Sequence, residues 1–249
     1  RLHQVDHAVG EEFGVDAEQF VEAHIRSGAG VTVAGIRVPR SECDRFGVIE
    51  PDENGRIKRF REKPTDAEGL SDAPDQVFAS MGNYVFSRRT LESAVVEDAK
   101  NAESNHDMGG DIITMLVERG EAAVYDFAAN DVPGSTDRDR GYWRDVGTLD
   151  SYYDAHLDLI SVHPIFNLYN SRWPIHTWYG SLPPAKFVFD ADGRRGTAID
   201  SMVSAGTIVA GGTVRRSILS PGVRIEPGSE ITDSVLMQDV RIGEGAIVR

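Results

Sequence analysis

Ile218-Leu-Ser-Pro-Gly-Val-Arg-Ile-Glu-Pro-Gly-Ser-Glu-Ile231 returns seventeen residues later as Val235-Leu-Met-Gln-Asp-Val-Arg-Ile-Gly-Glu-Gly-Ala-Ile-Val248, and this repeat decides the fold of the C-terminal part. Aliphatic residues stand six apart within it and just before it, in the pairs Ile208 and Val214, Ile225 and Ile231, and Ile242 and Val248. Such spacing is typical of coils in which each short strand points one aliphatic side chain inward. A β-sandwich would instead show period-two alternation without a seventeen-residue register. The repeat therefore predicts a parallel β-helix.

Upstream of the repeat, helix-like and strand-like segments alternate. Asp16 is an acidic N-cap for a helix that Gly28 ends, and the β-branched run Val31–Val38 reads as a strand covered on both faces. The apolar stripe of this helix consists of Phe20, Val21, His24 and Ile25. The other predicted elements are a hairpin of residues 46–49 and 56–61 around Asn54-Gly55, strands 77–86 and 122–127, and helices 89–99 (Leu91 and Val95 inward) and 111–118. This alternation predicts an α/β layered domain.

Composition limits the function. The chain has 249 residues, 40% of them hydrophobic, and a formal net charge of −14 from 40 acidic and 26 basic residues. This excess of negative charge disfavours binding to nucleic acid or to an anionic membrane surface. The only cysteine, Cys43, has no disulfide partner in the chain, and no apolar run reaches the length of a membrane span. We expect a cytoplasmic protein.

We expect three segments. Residues 1–165 form the α/β domain, residues 166–199 a connector rich in aromatic residues and proline, and residues 200–249 the β-helix. Residues 1–15 lack a clear period and an initial Met, and the repeat stops at Arg249 without a capping coil. We therefore expect the chain to be incomplete at both ends.

Candidate binding residues lie at strand ends and loops of the α/β part. Glu62-Lys63-Pro64 follows the hairpin, so that an ammonium group and a carboxylate stand where a strand stops; this pair suits a phosphate and sugar hydroxyls, or is a solvated strand end. Gly47 allows close backbone approach to a ligand, or forms a bulge. Ser80 either begins an ordinary strand or offers its hydroxyl to a ligand. Asp107 either caps the following helix or binds a hydroxyl group of a ligand.

Tyr142-Trp-Arg-Asp-Val-Gly-Thr-Leu149 places one carboxylate, Asp145, between aromatic residues and a Val-Gly-Thr turn. Taken alone, the octamer is typical of a turn or a helix cap. If the neighbouring residues hold its side chain in one orientation, the same carboxylate is a candidate metal ligand.

The motifs together, in this order, resemble bacterial glucose-1-phosphate adenylyltransferase, also called ADP-glucose pyrophosphorylase. The segments that carry the resemblance are Phe46-Gly-Val-Ile49, Phe60-Arg-Glu-Lys-Pro64, Ser80-Met-Gly-Asn-Tyr-Val-Phe86, His106-Asp-Met-Gly-Gly-Asp-Ile112, Tyr142–Thr148 and Leu182-Pro-Pro-Ala-Lys-Phe187. The resemblance covers about residues 16–249. It implies part of a Rossmann-like nucleotidyltransferase domain, a mixed sheet with helices on both faces, followed by a left-handed parallel β-helix.

The resemblance also implies an activity, in which ATP and α-D-glucose 1-phosphate give ADP-glucose and pyrophosphate for glycogen biosynthesis. Gly47, Glu62, Lys63, Ser80 and Asp107 would contact glucose 1-phosphate, with Lys63 on its phosphate and Lys63 and Asp145 as the catalytic residues. Asp145 would bind Mg²⁺, and Asp6 of the Asp6-His7 pair would be a second, weaker candidate metal ligand. A cytoplasmic homotetramer regulated by metabolite effectors is implied as well.

The chain departs from the family pattern at its start, where no Gly-rich loop for the triphosphate of ATP is present. We therefore expect this polypeptide by itself to be inactive. Two alternatives stay open, namely another sugar-1-phosphate nucleotidyltransferase and a non-catalytic regulatory subunit of the same fold. An acyltransferase built on the β-helix is disfavoured, because the sequence shows fewer than three coils and no apposed catalytic histidine.

Overall fold

The computed structural model describes residues 15–176, 180–188 and 193–249. They divide into two compact units, the first reaching Val132 and the second beginning at Pro133. The predicted boundaries at residues 165 and 199 follow the sequence pattern rather than this division, and the two units are described separately below.

The first unit is built from helices and one sheet. Its described helices are α1 (Ala17–Ser27), α2 (Arg88–Asp98) and α3 (Thr114–Glu118). Its described strands are β1 (Val31–Pro39), β2 (Gly47–Pro51), β3 (Ile57–Glu62), β4 (Gln76–Phe86) and β5 (Ala122–Asp126). Short helical turns occupy Arg40–Arg45, Met108–Ile113 and Phe127–Ala129, and the turn at Met108–Ile113 is of the π type. Strands, hairpin and helices lie within a few residues of their predicted places.

Helix α1 begins where the sequence predicts it. The Asp16 carboxylate accepts a hydrogen bond from the backbone N–H of Gln19, and Gly28 ends the helix in the left-handed conformation. Phe20 and His24 are buried as predicted, but Ile25 is 72% exposed. The prediction for Ile25 was wrong because the buried face is centred on His24, whose ring hydrogen-bonds Thr32 of β1, and Ile25 lies about 100° further round the helix.

The sheet of the first unit is mixed, with strand order β3-β2-β4-β1-β5. β1 pairs in parallel with β5 and antiparallel with β4, while β2 pairs antiparallel with β3 and β4. Asn54-Gly55 makes the tight turn of the β2–β3 hairpin, with Gly55 at φ +76°. The predicted mixed sheet is confirmed.

Helices cover both faces of this sheet, as predicted. Val31 and Val33 of β1 point into a core shared with Leu116 of α3. Thr32, between them, points the other way and meets His24 of α1. Alternate residues of one central strand therefore serve two helical layers.

Helix α2 shows a second error in the predicted inward face. Ala94 is fully buried and the carboxylate of Asp98 is nearly so, whereas Val95 is 43% exposed. The inward face therefore runs through positions 91, 94 and 98, three and four residues apart. The predicted helix 111–118 is also only partly right, because its first half belongs to the π turn and α-helical geometry starts at Thr114.

The second unit contains helix α4 (Leu149–Leu159) and a coil of short parallel strands. The described strands are β6 (Lys186–Val188), β7 (Thr197–Ile199), β8 (Met202–Val203), β9 (Ile208–Ala210), β10 (Thr213–Arg215), β11 (Ile218–Leu219), β12 (Arg224–Ile225), β13 (Glu230–Thr232), β14 (Val235–Leu236), β15 (Arg241–Ile242) and β16 (Ile247–Val248). They stack into three sheets with orders β16-β13-β10-β7, β14-β11-β8 and β15-β12-β9-β6.

The coil confirms the parallel β-helix and its register. Ile218 pairs with Val235 and Arg224 with Arg241, each seventeen residues apart. The interior holds fully buried aliphatic residues, one from each of the five consecutive strands β9 to β13: Val209, Val214, Leu219, Ile225 and Ile231. Val209, rather than the predicted Ile208, points inward, because β9 pairs Val209 with Ile225 across the rung.

The coil is longer than the sequence repeat indicates. Strands β6 and β7 already pair with β9 and β10, so that two of its sheets have four strands in the described part of the chain. The expectation of fewer than three coils was therefore wrong. The early rungs escape the sequence pattern because β7 carries the small Ala198 where the later rungs carry Val214 and Ile231.

No helix in the described ranges is both long enough and apolar enough to cross a membrane.

Candidate functional site

Three predicted site residues lie side by side across neighbouring strands of the first unit. Gly47 of β2 pairs with Glu62 of β3. On the other side of β2, Val48 pairs with Ala79 and Ile49 with Phe78, and continuing this register by one residue places Ser80 opposite Gly47. The row Glu62–Gly47–Ser80 therefore crosses β3, β2 and β4 at one end of the hairpin.

Gly47 is required by the packing around it. A Cβ atom at this position would lie 2.5 Å from Cζ of Phe60 and 3.2 Å from Oε2 of Glu62. Phe60 belongs to the buried core and is only 7% exposed. The missing side chain thus leaves the Glu62 carboxylate resting directly against the backbone of β2.

Lys63 continues from Glu62 at a sharp bend of the chain. Its backbone is left-handed, with φ +45°, and its N–H donates to the carbonyl of Phe46 over 3.1 Å. The ammonium Nζ lies 3.9 Å from Oε1 of Glu62, and the Lys63 side chain is 62% exposed. A cation is therefore held beside a carboxylate while still reaching solvent, which suits a ligand that carries both an anion and hydroxyl groups.

Asp107 reaches the same place from the loop before α3. Its Oδ1 accepts a 2.6 Å hydrogen bond from the N–H of Gly110, which caps the π turn, and its own N–H donates to Asp111. A Cβ atom on Gly109 would lie 3.5 Å from this Asp107 oxygen and 3.6 Å from Oε2 of Glu62. Asp107 and Glu62 therefore face each other across Gly109.

Gly109 and Asp111 are parts of this cluster that the sequence reasoning did not single out. Gly109 lies beside both carboxylates, and Asp111 accepts a hydrogen bond from the backbone N–H of Asp107. The adjacent glycines of His106-Asp-Met-Gly-Gly-Asp111 were the available signal, since paired glycines at the start of a helical turn are costly unless the backbone must come close to something.

Ser80 lies where β4 bulges. The register of β4 against β1 shifts between Val33 and Gly35, and Gly82 has φ +80°. The hydroxyl Oγ of Ser80 accepts a 3.3 Å hydrogen bond from the N–H of Gly82. The bulge re-aims the strand and leaves Ser80 half-buried at the end of the row.

Asp145 belongs to the second unit. Its Oδ1 accepts a 3.0 Å hydrogen bond from the N–H of Gly147, which is the local turn that the octamer alone suggested. Thr148 then caps α4 through a reciprocal pair of bonds with Ser151. The turn holds the carboxylate at the start of a helix, in a half-buried position.

The residues around Asp145 form a mainly apolar cavity of about 250 Å³ within the second unit. The rings of Tyr142 and Phe166 meet at 5.0 Å, and burial raises the pKa of the Tyr142 hydroxyl. The guanidinium of Arg144 lies 3.9 Å from the carboxylate of Asp158. Side chains on either side of Asp145 are thus packed, which limits the freedom of the turn that carries it.

The donor chemistry of Asp145 fits a magnesium ion. Mg²⁺ in phosphoryl-transfer sites is commonly held by one or two carboxylates together with water and substrate phosphates. Within the described ranges, no group of three or more His, Cys, Asp or Glu side chains forms a closed metal site. The second candidate ligand, Asp6, lies outside the described residues.

The cluster of the first unit therefore offers one ammonium group, two facing carboxylates and a hydroxyl, beside the buried Gly47 and the half-buried Gly109 and Gly110. Carboxylates accept hydrogen bonds from sugar hydroxyls, and a lysine binds a phosphate as a point charge. A sugar phosphate satisfies all of these groups together, whereas a purely apolar ligand satisfies none of them.

Comparison with known proteins agrees with this chemistry. Residues 5–162 match the family described as "Nucleotidyl transferase". Residues 183–249 match "GlmU-like, C-terminal hexapeptide", in agreement with a left-handed parallel β-helix. The chain belongs to the nucleotidyl transferase family.

Two similar proteins are both named glucose-1-phosphate adenylyltransferase. The chain is 58% identical over 238 residues to the glucose-1-phosphate adenylyltransferase of Corynebacterium jeikeium, covering 95% of this chain and 58% of the relative. It is 60% identical over 216 residues to that of Rhodococcus erythropolis, covering 87% of this chain and 52% of the relative. The chain thus spans a little over half the length of these relatives.

Proposed function

We propose that the protein to which this chain belongs is a glucose-1-phosphate adenylyltransferase, which converts ATP and α-D-glucose 1-phosphate to ADP-glucose and pyrophosphate. The nucleotidyl transferase family membership and the shared name of relatives at 56–60% identity support this proposal. The motifs that carry the resemblance are spread over both units of the chain.

The observation that carries the proposal is the meeting of Gly47, Glu62 and Asp107. They come from a strand, the end of its hairpin partner and a separate loop, and they converge with Lys63 at their edge. Convergence of polar groups on glycine backbone is unexpected in a structural strand end, because it sets two carboxylates beside Gly109 while the ion pairs of the described residues supply them with one cation, Lys63. A bound sugar phosphate supplies hydroxyl donors to the carboxylates and an anion to the lysine.

Each residue then has a role in binding glucose 1-phosphate. Lys63 neutralises the phosphate, which must approach the α-phosphate of ATP as the attacking group. Glu62 and Asp107 accept hydrogen bonds from the glucose hydroxyls, and Ser80 adds a hydroxyl at the end of the row. Gly47 leaves room for the Phe60 ring and the Glu62 carboxylate, and so sets the position from which Glu62 would meet the sugar. No covalent intermediate is needed, because the sugar phosphate itself is the nucleophile.

Asp145 is proposed as a ligand of Mg²⁺. When bound, the metal would neutralise phosphate oxygens of the substrates. Asp145 would contribute one carboxylate, held in place by its turn and by the packed side chains beside it. A homotetramer regulated by metabolite effectors, acting in glycogen synthesis in the cytoplasm, is part of the same proposal and depends on the family resemblance alone.

The test is a coupled pyrophosphate assay on the protein expressed from its complete gene. We expect turnover with ATP, glucose 1-phosphate and Mg²⁺, and Lys63→Ala is expected to raise the KM for glucose 1-phosphate far more than the KM for ATP. Arg59→Ala is the matched control, because Arg59 is an exposed cation on the same strand and pairs with Glu50. Equal turnover with UTP or with other sugar phosphates would contradict the substrate assignment, and equal effects on both KM values would contradict the role of Lys63.

A further inference from the structure

The last residue of α2 carries a buried carboxylate. Asp98 is 8% exposed. One of its oxygens accepts a 2.6 Å hydrogen bond from the hydroxyl of Ser104, and the other lies 2.7 Å from Nδ1 of His106. We name these three residues the Asp98 clasp.

The chemistry of the clasp determines the state of the histidine. The hydrogen bonds from Ser104 and then His106 hold the pKa of Asp98 below its ordinary value, so that this carboxyl group is ionised at neutral pH. An ionised carboxylate only accepts hydrogen bonds. Nδ1 of His106 must therefore carry the proton and donate it to Asp98.

The clasp also holds an unusual backbone conformation. His106 has φ +58°, in the left-handed region that residues with a side chain rarely adopt. Its backbone N–H donates to Oγ of Ser104 over 3.0 Å, and the same hydroxyl donates to Asp98. Both the ring and the backbone of His106 are thus tied to one buried group, which is how a disfavoured conformation is kept.

Asp107 follows directly, and its position depends on that conformation. The left-handed turn at His106 directs Asp107 so that it caps the π turn and faces Glu62 across Gly109. Without the clasp, residue 106 would relax to a common backbone conformation and Asp107 would leave Glu62. The groups of the clasp themselves make no contact with Glu62 or Lys63 among the described hydrogen bonds and ion pairs.

We propose that Asp98 and His106 are positioning residues, which hold Asp107 in place to receive the glucose moiety. The inference rests on the proposed function, since Asp107 is assigned to glucose 1-phosphate there. It adds two residues that act through Asp107 and predicts that their loss affects one substrate and not the other.

The test uses steady-state kinetics on the protein expressed from its complete gene. Asp98→Ala and His106→Ala are expected to raise the KM for glucose 1-phosphate by roughly tenfold or more, which corresponds to about 1.4 kcal/mol, because Asp107 then no longer accepts its hydrogen bond from the sugar in the right place. The KM for ATP is expected to stay nearly unchanged. Glu97→Gln is the matched control, because Glu97 is the neighbouring carboxylate on α2 and pairs at the surface with Arg119. It is expected to leave both KM values unchanged.

A backbone series at position 106 separates positioning from general stability and is independent of whether Asp98→Ala folds. Asn and Gly adopt the left-handed conformation more readily than Ala, and Asn also retains a polar group. His106→Asn is therefore expected to have a KM for glucose 1-phosphate close to that of the parent protein, and His106→Gly a KM between those of the parent and His106→Ala. NMR of the imidazole nitrogens should show the Nδ1–H form in the parent protein.

Two kinds of failure are distinguishable. If the parent protein makes no ADP-glucose, the proposed function itself is wrong. If the parent protein is active but His106→Asn is no better than His106→Ala, or if both KM values rise equally, or if the ring carries its proton on Nε2, the positioning role is wrong and the proposed function stands.

Discussion

Replacing Gly47 with Ala tests the packing on which the candidate site depends. The added Cβ would lie 2.5 Å from Cζ of Phe60, whereas carbon atoms pack best at about 3.5–4.0 Å. Phe60 is buried among core residues, so that its ring has little room to swing away. The same methyl group would lie 3.2 Å from Oε2 of Glu62 and push the carboxylate out of line.

The size of the effect follows from these two contacts. Overpacking a full core costs about 1–3 kcal/mol, and we expect Gly47→Ala to lower the stability of the first unit by that amount. A hydrogen bond to a charged group contributes about 1.5–3 kcal/mol. Displacing Glu62 should therefore weaken the binding of glucose 1-phosphate by roughly tenfold to a hundredfold.

The assay has a stability arm and a binding arm. Thermal unfolding followed by circular dichroism reports stability, and isothermal titration with glucose 1-phosphate reports binding. Gly243→Ala is the control, because a Cβ there has no neighbouring atom within 4 Å. A double variant, Gly47→Ala with Phe60→Leu, should recover stability relative to the sum of the single changes, since leucine lacks the distal ring carbons.

The reasoning would be refuted by a Gly47→Ala variant that unfolds at the parent temperature and binds glucose 1-phosphate as tightly as the parent. Failure of the Phe60→Leu change to compensate would also contradict the proposed clash, because it would place the cost elsewhere.

Three further predictions address other parts of the chain. Burial lowers the pKa of His24, so the stability of the fold should decrease as the pH drops below 6.5, where the unfolded state takes up a proton that the folded state does not. In urea unfolding between about pH 7.5 and about pH 5.5, His24→Asn should therefore make the midpoint concentration less dependent on pH. The same pH dependence in the variant and the parent protein would contradict this. Ile225→Ala, at a fully buried rung, should cost about 2–5 kcal/mol in urea unfolding, whereas the exposed Ile247→Ala should cost far less; equal losses would argue against the coil interior. Tyr153→Phe removes a 2.9 Å hydrogen bond to the carbonyl of Asp233 and should cost about 1 kcal/mol; an unchanged urea midpoint would argue against that bond.

The β-helix could be predicted in detail because its fold follows from a repeat along the sequence. Each rung buries one residue of a fixed period, so that spacing alone gives the register that the structure shows between Ile218 and Val235. The prediction was wrong at Ile208 and for the early rungs. In β9 the inward aliphatic residue is one position later than predicted, and in β7 a smaller residue takes its place. The stacking of neighbouring rungs decides which side chain points inward, and the sequence does not show that stacking.

Helix faces were less predictable than helices. A periodic pattern locates α1 and α2, but the polar partners of His24 and Asp98 decide which side turns inward. His24 belongs to the predicted inward stripe, whereas Asp98 looks like a surface residue in the sequence. Ile25 and Val95 are exposed for that reason. Buried hydrogen-bonded groups therefore override a hydrophobic stripe when the two differ by one position.

The candidate site was predicted as a set of residues but not as a geometry. Gly47, Glu62 and Ser80 are far apart in sequence, and only the pairing of β2 with two neighbours places them in a row. The approach of Asp107 to Glu62 depends on a π turn, which has no reliable sequence signal. The roles of these residues in binding stay predictions until substrates are measured.

Helix α4 gives the turn of Asp145 a fixed point of reference in the coil. The hydroxyl of Tyr153 donates to the carbonyl of Asp233, and that of Tyr152 lies 3.6 Å from the sulfur of Met237, so that the helix is fastened on both sides of β14. The N-cap of the helix, Thr148, is three residues after Asp145. The rung that contains β14 therefore sets the position of α4 within the second unit, and with it the position of the turn that carries Asp145.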